Sequence, residues 1–80
     1  MESVRSRLIP CFTAVFPQLT TDEASRANIH NLPAWDSSNH IMLMLTIEEA
    51  FGVQIPEEVL SEIESFFGFE DYLTAKGVES

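Results

Sequence analysis

Apolar residues recur along this chain at helical spacing, and no stretch alternates with the period of two that a half-buried strand needs. Val4, Leu8, Cys11, Phe12 and Val15 share one face of a first helix read from Ser3 to Phe16. Pro10 falls inside that run. Proline lacks the amide hydrogen and crowds the preceding turn, so either the helix kinks there or its regular part begins at Pro10. Pro17 ends it. A long connection from Thr20 to Trp35 follows, with Ile29, Leu32 and Trp35 along it and Leu19 just before. Large apolar residues spaced in this way hold a connection against a core. Thr20 and Glu23 stand at capping-box spacing, which fits one short turn of helix.

The second helix is the clearest element, from about Ser38 to Phe51, with Gly52 as its C-terminal stop. Leu43, Ile47, Ala50 and Phe51 share the face expected to enter the core. Ile41, Met42 and Leu45 point away from it, and Glu48 and Glu49 continue that outward face by a turn. The helix is thus more apolar than one buried stripe requires. Either neighbours cover it on two sides, or the outward face is a patch of apolar and acidic groups that docks a partner. Pro56 suits the first position of a third, short helix running to about Ile63, and Glu57 and Glu58 favour the positive end of its dipole. Ser65 caps a last helix from Phe66 to about Lys76, with Phe66, Phe69, Tyr72 and Leu73 inward and Gly77 at its end. Gly68 inside that helix costs roughly 1 kcal/mol relative to alanine, which points to close packing at that position. The expected fold is all-α: a small four-helix bundle of three longer helices and one short one, forming a single domain over residues 1–80.

Charge narrows the partners. Thirteen acidic against four basic residues give a net charge of −9 in a chain of 80 residues. Such a chain repels nucleic acid and anionic membrane surfaces and suits basic protein partners. No apolar run is long enough to span a bilayer. A single cysteine, Cys11, leaves no internal disulfide, and the N-terminal stretch "MESVRSRLIP" lacks the pattern of a signal peptide. A cytoplasmic monomer without membrane insertion is expected.

The usual catalytic and metal-binding constellations are missing. His30 and His40 have no CxxC partner, so no metal site is expected, and there is no glycine-rich phosphate loop. Asp36, Ser37 and His40 make a triad on paper, but His40 lies one turn after Ser37 on the same helix, with no nucleophile elbow or oxyanion-hole pattern. His40 reads as a polar or half-buried helix residue. Cys11 at a core spacing reads as a small buried hydrophobe. The pairs Glu48/Glu49 and Glu57/Glu58 read as solvated faces, since adjacent helical residues do not face each other. No catalytic residue is expected.

The stretch "WDSSNHIMLMLTIEEAFGVQIPEEV" changes the picture. It resembles the attachment region of acyl carrier proteins. That family places Asp-Ser-Leu at the start of its second helix, then apolar residues, then "EEEFG" and "IP" before a short third helix. Asp36 and Ser37 match the first two positions, "IEEAFGVQIP" from Ile47 to Pro56 matches the later part, and "ESFFGFEDYL" is similar to the family's last helix. The order and length of the helices extend the resemblance over the whole chain. It implies an acyl-carrier-like four-helix fold. It also implies a 4'-phosphopantetheine arm, derived from coenzyme A, on the Ser37 hydroxyl beside Asp36, with acyl groups carried as thioesters on the arm's thiol. The partners it implies are a phosphopantetheinyl transferase and acyl-loading and acyl-processing enzymes, docking on Ile41, Met42, Leu45, Glu48, Glu49, Glu57 and Glu58. The positive end of a helix suits a phosphodiester, and the residue-level alternative for Ser37 is a simple N-cap worth about 1 kcal/mol.

The chain departs from the family at several positions. Ser38 replaces the family's leucine, Pro33-Ala34-Trp35 precede the motif where many members have glycine, Met42 stands at a position often acidic, and Ala50 interrupts the acidic run. Trp35 either packs under the loop or flanks the arm. These differences imply a carrier dedicated to a specialised fatty-acid, lipid or polyketide-type pathway. A peptidyl carrier would more often show two glycines before the serine. The alternative is a helical protein-docking module with Ser37 unmodified.

Overall fold

A computed structural model describes residues 3–77 of the chain. It is helical, with α1 at Val4–Val15, α2 at Thr21–Ser25, α3 at Ser37–Phe51, α4 at Glu57–Leu60 and α5 at Phe66–Ala75. Five helices form where four were expected. The additional one, α2, is the single turn that "TTDE" foreshadows. Thr20 Oγ1 accepts from the Glu23 amide at 3.1 Å, and the Thr20 amide donates to the Glu23 carboxylate at 2.9 Å.

The first helix begins at Val4 with its own capping box between Ser3 and Ser6 and runs through Pro10 without ending. This removes the reading in which the regular helix starts at Pro10. The proline is tolerated because its side of the helix faces solvent: Pro10 is exposed, and so is Ser6, whose carbonyl loses its helical donor. Leu8, Cys11, Phe12 and the C-cap residue Phe16 are buried. Phe12 is the hub of the core. Its ring lies 5.0 Å from Phe66, 5.4 Å edge-on from Trp35 and 6.0 Å from Phe69. Aromatic contacts of this kind add to the burial of area.

Helix α3 packs on α1 and enters the core through Leu43 and Ile47, both fully buried. Ala50 was expected on that inner face and is exposed instead. The first helix reaches it from outside: Arg7 donates to the Ala50 carbonyl, and its guanidinium lies 4.5 Å above the Phe51 ring. Gly52 ends α3 in the left-handed region at φ 66°, a conformation that costs glycine nothing.

Pro56 is the residue before α4 and not its first helical position, and α4 is a single turn that ends at Leu60 instead of near Ile63. Glu64 and Ser65 extend to pair with the loop after α2, where Ile29 donates to the Glu64 carbonyl at 3.0 Å and Phe66 donates to Ala27 at 2.9 Å. After Leu60 the chain goes on only as turns, with the Ile63 amide donating to the Leu60 carbonyl at 3.2 Å. Ser65 then caps α5 through the Gly68 amide at 3.0 Å. A Cβ added at Gly68 would stand 3.1 Å from Ile63 Cγ2 and 3.4 Å from Ser65 Oγ, which accounts for a glycine inside a helix.

Candidate functional site

The start of α3 is built from its own loop. Asp36 is the N-cap, and its carboxylate accepts from the Asn39 amide at 2.9 Å. Asn39 returns the favour to the loop, its side-chain amide donating to the Ala34 carbonyl at 2.7 Å. The capping role read for Ser37 therefore belongs to Asp36. This leaves Ser37 as the first helical residue, exposed, with no capping bond for its hydroxyl to make. The first amides of a helix lack intrahelical acceptors and carry the positive end of the dipole, so an anionic phosphodiester on Ser37 is compatible with its surroundings.

Beside Ser37 opens a cleft of about 810 Å³ between α3 and the chain that carries α4. Trp35, Asp36, Ser37, His40, Ile41, Met44 and Glu48 line one side. Ile55, Glu57, Leu60, Ser61, Ile63 and Glu64 line the other, with Ile29 from the earlier loop. The walls are mostly apolar, and the charged residues among them are all acidic. Trp35 is 5% exposed, packs against Phe12 and stacks on Phe69, and it also lines the cleft.

His40 spans this cleft. The Trp35 indole N–H donates to its Nδ1 at 2.8 Å, and its Nε2 meets the Leu60 carbonyl at 2.9 Å. Both ring nitrogens are thus engaged away from Ser37, and the triad drawn on paper does not assemble. His30 is exposed. Cys11 is buried, and burial pushes its thiol above the ordinary range, opposed in part by Arg7. That thiol is a poor nucleophile at neutral pH.

The outward face of α3 is as the pattern implied. Ile41, Met42 and Leu45 are each about half exposed, at 51%, 51% and 50%. Glu49, Glu57 and Glu58 are exposed around them. Glu48 is the exception. It is half-buried, it lines the cleft, and its carboxylate accepts from the Ile55 amide at 2.8 Å, so it clasps the connection between α3 and α4. The four cations are engaged elsewhere. Arg5 makes a two-point pair with Glu70, which holds its guanidinium above the ordinary range, first through the hydrogen bonds and then through charge. Arg7 is on α3's last turn, Arg26 pairs with Asp22, and Lys76 lies over Tyr72.

Residue pattern alone did not find the cleft. Its signal was in the sequence: His40 belongs to the same stripe as Leu43, Met44 and Ile47, and a polar residue on an apolar stripe needs buried partners. Among the described residues no helix is long and apolar enough to cross a membrane. No protein-family model matches the chain, and no curated protein sequence does.

Proposed function

We propose that this protein is an acyl carrier of the phosphopantetheine-dependent kind, folded as the four-helix carrier bundle with α2 as an added turn. Ser37 is the attachment residue. The observation that carries the reading is Ser37 itself: an exposed hydroxyl on the first helical residue of α3, freed from capping by Asp36, beside a mostly apolar cleft. The sequence resemblance across "WDSSNHIMLMLTIEEAFGVQIP" supplies the chemistry. A transferase would bring coenzyme A to Ser37. The serine oxygen attacks the pantetheine-side phosphorus, the bond to 3',5'-ADP breaks, and the serine proton leaves to a base on the transferase. When bound, the arm supplies a terminal thiol for thioester carriage.

This chain's own residues present the site and are recognised. Ile41, Met42 and Leu45 offer an apolar spot, and Glu49, Glu57 and Glu58 offer an acidic rim, so partner enzymes carry a basic rim around an apolar contact. The protein acts as a cytoplasmic monomer, has no catalytic role of its own and serves a specialised fatty-acid, lipid or polyketide-type pathway. The test is incubation with coenzyme A and a broad-specificity phosphopantetheinyl transferase, read by mass spectrometry. The wild type and Ser38→Ala gain one phosphopantetheinyl group and Ser37→Ala does not. A gain that survives Ser37→Ala and vanishes in Ser38→Ala moves the site by one residue. No gain in any form leaves a helical docking module with Ser37 unmodified.

A further inference from the structure

Two cross-bonds set the register of the cleft beside Ser37. His40 on α3 meets the Leu60 carbonyl at 2.9 Å, and Glu48, further along α3, accepts from the Ile55 amide at 2.8 Å. At a helical rise of about 1.5 Å per residue, His40 and Glu48 stand roughly 12 Å apart along α3. The facing wall runs the opposite way, from Ile55 to Leu60. The floor is apolar, built from Trp35, Ile41, Met44, Ile55, Leu60 and Ile63. Carboxylates flank it in chain order. Asp36, whose carbonyl takes the His40 amide, precedes the first bond on α3, and Glu64 follows Leu60 on the other wall. Glu48 makes the second bond, and Glu57 follows Ile55. Among the described residues no lysine or arginine lines the cleft.

This combination selects a ligand by charge as well as by shape. Asp36 and Glu48 each engage one oxygen with a backbone amide, of Asn39 and of Ile55, and a carboxylate has a second oxygen to offer. Glu57 and Glu64 are exposed where they line the cleft. A run of methylenes laid on the floor removes apolar surface from water on both sides. A cationic head then meets a carboxylate through charge-assisted hydrogen bonds, whereas an anionic head meets repulsion. We propose that this cleft is a binding site for a linear aliphatic amine, with the chain lying between α3 and the α4 segment and the ammonium group at the carboxylates that flank the floor. This goes beyond the carrier reading and needs no arm on Ser37, so the two are tested apart.

The experiment uses the full unmodified chain and probes of one length, decylamine, decanol and decanoate, each kept below its micelle concentration. Titration calorimetry gives affinity and stoichiometry. Methyl NMR of Met44, which lines the cleft, and of Met42, which does not, gives the location. At neutral pH the amine is protonated and decanoate is ionised. Decylamine binds one to one and about tenfold or more tighter than decanoate, the scale of a hydrogen bond to a charged group, with decanol between them. The Met44 signal shifts to saturation and Met42 stays in place. Added salt weakens the amine and leaves decanol unchanged.

Two double variants separate the cleft from overall charge. Glu57→Gln with Glu64→Gln removes two cleft carboxylates, lowers decylamine affinity about tenfold and leaves decanol unchanged. Glu62→Gln with Asp71→Asn removes the same charge from exposed positions outside the cleft and leaves the amine close to wild-type affinity. The helical signal is the same in both. The proposal is overturned by decanoate binding as tightly as decylamine, by a Met42 shift that tracks Met44 without saturation, by equal losses in the two double variants, or by no binding of any probe. A Met44 signal that moves with protein concentration alone assigns the cleft to a second copy of the chain and overturns it as well.

Discussion

Leu43 and Met42 are neighbours on α3 whose substitution should have opposite consequences. Leu43 has no exposed surface and sits where α3 packs on α1. Leu43→Ala removes buried methyl and methylene groups and leaves a cavity in the core. Such changes cost about 2–5 kcal/mol. A domain of this size has a total stability of roughly 4–12 kcal/mol, at about 0.05–0.15 kcal/mol per residue. At roughly 4–8 °C per kcal/mol, the melting temperature falls by about 8 °C at the least, and a loss of about 5 kcal/mol exceeds the whole stability if that lies at the low end of its range. Met42 is 51% exposed, so Met42→Glu removes little buried area and should stay within about 0.5 kcal/mol of the wild type. Thermal melting by far-ultraviolet circular dichroism separates the two directly. The reasoning is refuted if Met42→Glu melts as low as Leu43→Ala, or if Leu43→Ala melts with the wild type. Binding completes the comparison: Met42→Glu should weaken a cognate loading enzyme while the helix signal is unchanged.

Four further outcomes are expected. Charge reversal of Glu49, Glu57 and Glu58 to lysine should slow association with a partner enzyme and flatten its salt dependence, checked by stopped-flow binding at two ionic strengths; Glu48 is left out because its carboxylate holds the Ile55 amide. With −9 net charge and the four cations already engaged, added salt should raise the melting temperature, and a flat response by calorimetry would contradict self-repulsion as a cost to this fold. Gly68→Ala, which in an open helix would gain roughly 1 kcal/mol, should be neutral or destabilising because the new methyl meets Ile63 Cγ2 at 3.1 Å, and a clear rise in melting temperature would show that Ile63 yields freely. Cys11 should react slowly with a disulfide reagent at neutral pH. Because its folded-state thiol is raised, the unfolded chain releases that proton first, so stability should decline as pH rises above the ordinary thiol range, and Cys11→Ala should lose that part of the alkaline decline.

The sequence by itself determined where helices form, because apolar period, capping residues and punctuating glycines are local properties. Thr20 with Glu23, Ser65 with Gly68, and Gly52 are caps that need only a few adjacent residues to act. It also determined that Leu43 and Ile47 face inward and that Ile41, Met42 and Leu45 face outward, since those directions follow from 100° per residue. Tertiary structure decided what distant chain segments impose. The bridge from Ala27–Ile29 to Glu64–Phe66 tied the loop after α2 to the start of α5. Arg7 from the first helix reached the end of α3, where it donates to the carbonyl of the exposed Ala50 and lies over the Phe51 ring. Glu48 is half-buried because its carboxylate accepts from the Ile55 amide, seven residues on. The cleft beside Ser37 is of the same kind: Trp35, His40 and Leu60 are spread over twenty-five residues, and only folding brings the His40 ring between the Trp35 indole N–H and the Leu60 carbonyl.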